Sequence, residues 1–515
     1  MTSSPPGSPS PSLSPSPSQS PTPSQGRFDF AAEVPAASSL GSVHFIAIGG
    51  AGMSGVARVM LAQGISVSGS DARESLVLTA LAAEGAVVHI GHDAAHLAAA
   101  DTVVISSAIR ENNVELVEAR SRGLTVLHRS QALASVMRGS RRVAVAGANG
   151  KTTTTSMLTV ALQHCGLDPS FAIGGELAKH GTNAHHGSGD IFVAEADESD
   201  GSFLVYRPEV AIVTNVQPDH LDFYGTFEAV QSAYVAFAAT VSAHGLLVAC
   251  ADDAGSRTVA EVARAAGTRV VTYGLTPDAD VRLTEVGGVG LRAHAQLVRA
   301  GQIVGRIDIG LPGRHNVLNA TAAFVAATEG LGQPPDRVLA GLAGFTGTRR
   351  RFEPKGEAAG VRVVDDYAHN PGKVTAVVET ASSLAAPGRL IVVFQPHLYS
   401  RTRDFAAELA AALSPADIVI VMDVYAARED PLPGVTGALI TDQLALPDGS
   451  GRPHVPQSVR FVPSWSDVAP LVAQLAERGD LVVTVGAGDV TMIGPEILRL
   501  LSQRGDASAI AARPQ

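Results

Sequence analysis

The chain has 515 residues, 45% of them apolar, and a formal charge of −11. That length exceeds one hydrophobic core, so two to four domains are expected, and the acidic balance argues against nucleic acid as a main partner. The two cysteines, Cys165 and Cys250, stand far apart in no partner motif, a weak pointer to a reducing compartment.

Residues 1–38 open as Ser/Pro repeats with almost no large apolar side chain. Such a segment cannot bury enough surface to offset its ordering entropy, so a disordered tail is expected. It lacks the basic start and apolar middle of a secretory signal, and no later apolar run is long enough to span a bilayer. A cytoplasmic protein with no membrane insertion is the expectation. From 39 to 138, strand-like VHFIAI, ISVSGS, AVVHI and TVVISSAI alternate with helical GVARVMLAQG and LTALAAEG, the rhythm of a small parallel sheet. The first strand runs into IGGAGMSG, with Gly50, Gly52 and Gly55 at G-x-G-x-x-G spacing. Asp71 follows where a dinucleotide fold keeps its ribose-binding acid. This pattern alone does not separate NAD from another nucleotide.

A second α/β unit, 139 to 345, opens with RRVAVAGANGKTTTT. Gly147-Ala148-Asn149-Gly150-Lys151-Thr152, followed by Thr153, is a shortened relative of the phosphate loop. Glycines let backbone N–H groups close around phosphate oxygens at a helix N-terminus. Lys151 is placed for the β and γ phosphates and the Thr152 hydroxyl for Mg²⁺. Downstream, EADESD crowds Glu195, Asp197, Glu198 and Asp200 at one strand end, and TNVQPDHLDFYG brings Asn215, Asp219, His220 and Asp222 to another. Either segment alone reads equally as turn chemistry; both behind a phosphate loop favour a Mg²⁺ site. The third unit, 346 to 515, repeats the alternation through GVRVVDDYAH, RLIVVFQPH, DIVIVMDVY and LVVTVGAGDV. The expected fold is α/β, three doubly wound domains in series.

GKTTT, EADESD, TNxxxDHLDxY, GRHNVLNA, GTRRRFE, DDYAHNP, QPHLYSRTR and GAGD occur here in the order used by the Mur ligases, ATP-dependent amide-bond-forming enzymes of peptidoglycan precursor synthesis. The chain resembles that family from about residue 41 to 495, and HFIAIGGAGMSGVA with VSGSD and VVISSAI is most similar to its alanine-adding branch. The resemblance implies ATP and Mg²⁺ as cofactors, UDP-N-acetylmuramate and L-alanine as small-molecule substrates, and a monomer or weak homodimer. It turns the first glycine loop into a UDP-sugar site, with Gly50, Gly52, Gly55, Asp71, Ser106, Thr182 and Asn183 on the substrate side.

By the same resemblance, Thr152, Glu195 and His220 serve the metal, and His315, Asn316 and Asn319 read the adenine. From the residues alone, the two asparagines read instead as a helix cap. Arg350 and Asp366 belong to the ATP side, although which of Arg349, Arg350 and Arg351 reaches ATP stays open. Tyr367, His369, His397 and Arg401 face the incoming amino acid, since an arginine fork matches a carboxylate. Lys151, His220, Arg350 and His369 are the implied catalytic residues. The chain departs from the branch at Ala148 and Asn149, where Thr-His is usual, and at Leu398, where some members are basic. The segment AYVAFAA lacks the modified lysine of the sister ligases, in agreement with the alanine-adding branch. A ligase adding a recycled peptide, a non-catalytic nucleotide-binding regulator and an oxidoreductase are the rival readings.

Overall fold

Short, continuous apolar runs build three sheets in the computed structural model, which describes residues 27–177, 181–427, 429–445 and 454–511. The first sheet holds β1 (Val43–Ile46), β2 (Val67–Asp71), β3 (Val87–Ile90), β4 (Thr102–Ile105) and β5 (Thr125–His128), all parallel, in the order β3-β2-β1-β4-β5. Every residue of β1 and β4 is buried, as a strand covered by helices on both faces requires. The strand order reverses around β1, so the glycine loop at its carboxyl end lies at the switch point where open α/β sheets hold ligands.

The second sheet has ten strands. They are β6 (Arg141–Ala146), β7 (Ser170–Ala172), β8 (Ala184–His185), β9 (Ile191–Glu195), β10 (Val210–Val213), β11 (Leu246–Cys250), β12 (Arg269–Gly274), β13 (Val281–Val289), β14 (Arg292–Arg299) and β15 (Gln302–Ile309). Their order is β15-β14-β13-β12-β11-β10-β6-β9-β7-β8. The phosphate loop leaves β6 between the ends of β9 and β10, which carry the two acidic segments. The α/β expectation holds here with an addition: β13 to β15 form an antiparallel meander. Its Leu283, Ala295, Leu297 and Ile307 join the core while alternate residues face out.

The third sheet runs β16-β17-β21-β18-β19-β20. It comprises β16 (Glu353–Ala358), β17 (Val361–Asp366), β18 (Leu390–Phe394), β19 (Ile418–Val421), β20 (Ser458–Phe461) and β21 (Leu481–Val485), parallel except for the β16/β17 pair.

The Ser/Pro segment 1–26 lies outside the described residues. Residues 27–38, expected to belong to the tail, instead pack on the body. The rings of Phe28 and Phe30 lie 5.2 and 5.3 Å from that of His128, and Gln131 Nε2 donates to Asp29 O. Two aromatic anchors supply the apolar burial that the repeats before them lack. His128 also joins the first two units, through Ser107 and the Asp200 carboxylate 3.3 Å away.

Candidate active site

The three units face one cavity of about 750 Å³. Its floor is the phosphate loop. Gly150 caps the helix Lys151–His164 at φ +86°, a left-handed conformation that disfavours any side chain. A Cβ there would also lie 2.4 Å from Asn319 Oδ1. The strand beside it closes the loop: Asn215 Oδ1 accepts from Asn149 N at 2.8 Å, and Thr214 Oγ1 donates to Asn149 O at 2.6 Å. Lys151 Nζ donates to Gly147 O at 2.7 Å and to Glu198 Oε1 at 2.8 Å. Burial works against its ammonium, but Glu198, Asp197 and Glu195 outweigh that and hold its pKa above the usual lysine value.

Thr152 Oγ1 donates to Glu195 Oε1 at 3.1 Å, and Glu195 Oε2 accepts from Gly174 N. Glu198 Oε2 is buried with no hydrogen-bond partner among the described residues, and His220 Nε2 stands 3.8 Å from Glu198 Oε1. No three His, Cys, Asp or Glu side chains form a preformed metal cage among the described residues. Mg²⁺ needs none, because it takes one or two carboxylates and completes its shell with waters and substrate phosphates. The hydroxyl of Thr152 and the carboxylates of Glu195 and Glu198 are hard oxygen donors of the right kind, so the residues present fit the ion.

His315, Asn316 and Asn319 line the cavity on the helix Arg314–Val325. Gly313 is the residue that caps this helix, so the asparagines are not caps. Asn316 Nδ2 turns back to Pro312 O at 2.7 Å, and both asparagines are buried. Burial pulls His315 down to about 4, leaving a neutral ring.

The arginine run divides its work. Arg349 pairs with Glu176 at 2.8 Å. Arg350, the family-implied ATP contact, does not line the cavity. At φ +59° its side chain swings onto the Gly486 and Gly488 carbonyls, 2.7 and 3.0 Å away, and stacks on Tyr367. Arg351 takes the cavity position, donating to Thr152 Oγ1 at 3.0 Å. Asp366 accepts from Phe352 N and Ala368 N at 2.7 and 2.8 Å, bracing the linker at the cavity wall.

Tyr367 and His369 line the cavity. His369 Nδ1 lies 2.9 Å from Tyr367 O, an acceptor only, so that nitrogen carries the proton and Nε2 remains an acceptor. Burial, then the charges of Lys373 and Arg401, drive its pKa well below the usual histidine value. His397 and Arg401 stand one layer back, 3.3 Å apart, with Arg401 NH2 3.7 Å from Asp219 Oδ1. Sequence reasoning missed Asp219 as a junction. Its carboxylate accepts from Asn370 Nδ2 at 2.9 Å and faces Lys373 at 3.8 Å, tying the central unit to the third. Lys373 was missed too; its only signal is a lysine three residues after the Asn-Pro helix start.

On the first unit's side, Gly52, Gly55 and Asn183 reach the cavity, whereas Gly50, Asp71, Ser106 and Thr182 do not. Asp71 Oδ2 accepts from Gly49 N at 2.9 Å and so shapes the glycine loop. Thr182 closes its own turn on Ala184, and Ser106 accepts from Ile109 N through its carbonyl. Asn183 Nδ2 donates to Ala51 O at 2.7 Å, and its Oδ1 accepts from Arg58 at 3.1 Å, docking the first unit on the second. Arg129 also lines the cavity, 3.2 Å from Asp197.

A phosphate loop, an acid-lined wall and residues of the third unit thus border one cavity, an arrangement suited to an enzyme that spends ATP. The Mur ligase middle domain family matches residues 145–327. The Mur ligase family, catalytic domain, matches 42–141, and the Mur ligase, glutamate ligase domain, matches 350–488. A UDP-N-acetylmuramate–L-alanine ligase from Saccharopolyspora erythraea is 53% identical over 93% of this chain and 96% of its own. The crystal structure of a UDP-N-acetylmuramate-alanine ligase from Thermotoga maritima matches with TM-score 0.73 and 28% identity, over 91% of this chain and 99% of that one. A murein peptide ligase from Psychrobacter arcticus matches with TM-score 0.66 and 25% identity, over 90% and 98%. The chain belongs to the Mur ligase family.

Proposed function

We propose that this protein joins L-alanine to the lactyl carboxylate of UDP-N-acetylmuramate at the expense of ATP, giving UDP-N-acetylmuramoyl-L-alanine, ADP and phosphate. The observation that carries the reading is the single cavity into which the phosphate loop, the first glycine helix and the third unit all project. Residues 39–138 hold the UDP-sugar, 139–345 the ATP and 346–515 the amino acid. A carboxylate oxygen is too poor a leaving group for direct attack by an amine, so it is first phosphorylated and the acyl phosphate is then attacked.

Lys151 steadies the β and γ phosphates, the term expected to dominate phosphoryl transfer. Thr152, Glu195 and Glu198 would hold Mg²⁺, with His220 beside them; when bound, the ion neutralises charge on phosphate oxygens. Neutral His369 accepts the proton that the alanine ammonium must lose before it can attack, and Arg401, one layer behind the cavity wall, is the cation that the family resemblance assigns to the alanine carboxylate. The proposed substrates, ATP and a UDP-linked sugar, are nucleotides of the cytoplasm, which supports a cytoplasmic reaction. Among the described residues no helix is long and apolar enough to cross a membrane.

Phosphate release from ATP with UDP-N-acetylmuramate, comparing L-alanine, a tripeptide and no amine, tests the reading. Strict dependence on L-alanine supports it. Preference for the tripeptide moves the protein to the peptide-adding class, and release without amine removes both.

A further inference from the structure

Among the cations that line the cavity, Lys373 has no task in the reaction as described. Lys373 stands in the first turn of the helix Pro371–Ala385, where the positive helix end disfavours a lysine and suits an acid. Its side chain is 22% exposed, and Asp219 Oδ2 at 3.8 Å is beyond hydrogen-bond length. That carboxylate is shared with Asn370 and Arg401. The turn carrying Lys373 sits on the phosphate loop: a Cβ on Gly372 would lie 3.5 Å from Gln217 Oε1 and 3.8 Å from Asn149 Nδ2. Lys373 lines the cavity with Asn149, Gly150 and Lys151. Burial, and next the like charge of Lys151, weaken its hold on a proton. A partly buried ammonium at a helix N-terminus, within the field of another lysine, is costly with the acids present. A multiply charged anion between the two lysines relieves that cost.

We infer that Lys373 is a further catalytic residue, delivered by the third unit to the terminal phosphoryl group of ATP from the side opposite Lys151. The inference rests on the ligase reading and adds a cation that arrives with domain closure. In the step it serves, a lactyl carboxylate oxygen forms a bond to the γ phosphorus. The bond from that phosphorus to the β,γ-bridging oxygen breaks, and ADP leaves with the electron pair. No proton moves; the Lys373 ammonium neutralises charge on the oxygens in flight. The alternative partner, the carboxylate of L-alanine, is served by Arg401 beside His397, whereas the turn bearing Lys373 abuts the loop that cradles phosphate.

Lys373→Met in the full-length protein removes the charge and keeps the side-chain length; Lys373→Arg returns the charge. The readouts are kcat, the KM of each substrate, and equilibrium binding of ADP, of the β,γ-methylene analogue of ATP, and of UDP-N-acetylmuramate as a folding control. Lys373→Met is expected to lower kcat by ~10²-fold while the KM of L-alanine stays within about threefold. The triphosphate analogue should weaken by roughly tenfold with ADP affinity unchanged, and Lys373→Arg should recover part of kcat. A raised KM for L-alanine with unaltered analogue binding overturns the inference, as does a Met variant indistinguishable from wild type. If Lys373→Met no longer binds the UDP-sugar, Lys373→Gln is judged by the same two criteria. Wild-type protein that releases no phosphate with UDP-N-acetylmuramate and L-alanine contradicts the ligase reading itself. An active wild type with an unaffected Met variant contradicts the Lys373 role alone.

Discussion

At residues 48–55 and again at 147–152, a buried parallel strand passes through glycines into a helix capped by a glycine, Gly50 in one and Gly150 in the other. Their surroundings differ. The first loop carries no charge of its own and borrows Arg129 from the helix Arg129–Val136; a Cβ on Gly52 would lie 2.6 Å from Arg129 NH1. The second loop contains its cation, Lys151, and is ringed by Glu195, Asp197 and Glu198. On the function proposed here, the first holds a diphosphate that never reacts, for which a helix N-terminus and a borrowed arginine suffice. The second handles a phosphate in transfer, which calls for a fixed cation and acids that can share a metal ion. The same backbone start therefore serves two tasks, and the neighbours decide which.

The sharpest break of that comparison is Lys151→Ala. Turnover should fall by about 10³-fold or more, with UDP-sugar affinity within a few-fold, measured by phosphate release and direct sugar binding. Parallel loss of both would merge the two sites. Next come paired glycine changes. Gly150→Ala, strained by its φ and by contact with Asn319, should weaken ATP binding by ~10²-fold and leave the sugar alone. Gly52→Ala, which displaces Arg129, should raise the KM of UDP-N-acetylmuramate by roughly tenfold and leave ATP alone.

Acid should act on the second loop's wall through His315. Its folded pKa of about 4 lies below its ordinary 6.5, so the neutral ring contributes stability that is intact above 6.5 and lost as pH falls from 6.5 toward 4. By pH 5 the loss is about 2 kcal/mol. Denaturant unfolding of wild type and His315→Gln at pH 7 and 5 should show their difference shift by that amount, and parallel curves would contradict it. The smallest effect is expected from Asn183→Ala, which loosens the first unit on the second and should raise the KM of UDP-N-acetylmuramate by about threefold.

What was legible in the sequence was local. Strand-Gly-Lys-Thr and the acids at strand ends depend on chemistry within a dozen residues, and they sit in the structure where the pattern places them. What was not legible depends on contacts across the chain. Nothing in GTRRRFE says that Arg350 adopts a left-handed backbone and turns to Gly486 and Gly488, leaving the cavity to Arg351. Asn316 looked like a cap because its backbone neighbours are helical; the cap lies three residues earlier, at Gly313. Lys373 carries no local signal either, because its place in the cavity comes from the packing of the third unit on the phosphate loop. The meander β13 to β15 was readable in principle, since Gly290 and Gly301 mark its turns at positive φ and its residues alternate between core and solvent.

On the proposed function, the phosphoryl group gripped by Gly147 to Thr152 passes to the sugar's carboxylate, and this transfer leaves an isotopic trace. The transfer is tested most directly by running the reaction with UDP-N-acetylmuramate labelled with heavy oxygen in both lactyl carboxylate positions and weighing the released phosphate. The expected result is one heavy oxygen in each phosphate, formed only when L-alanine and ATP are both present. Unlabelled phosphate accompanying full product formation would contradict the account.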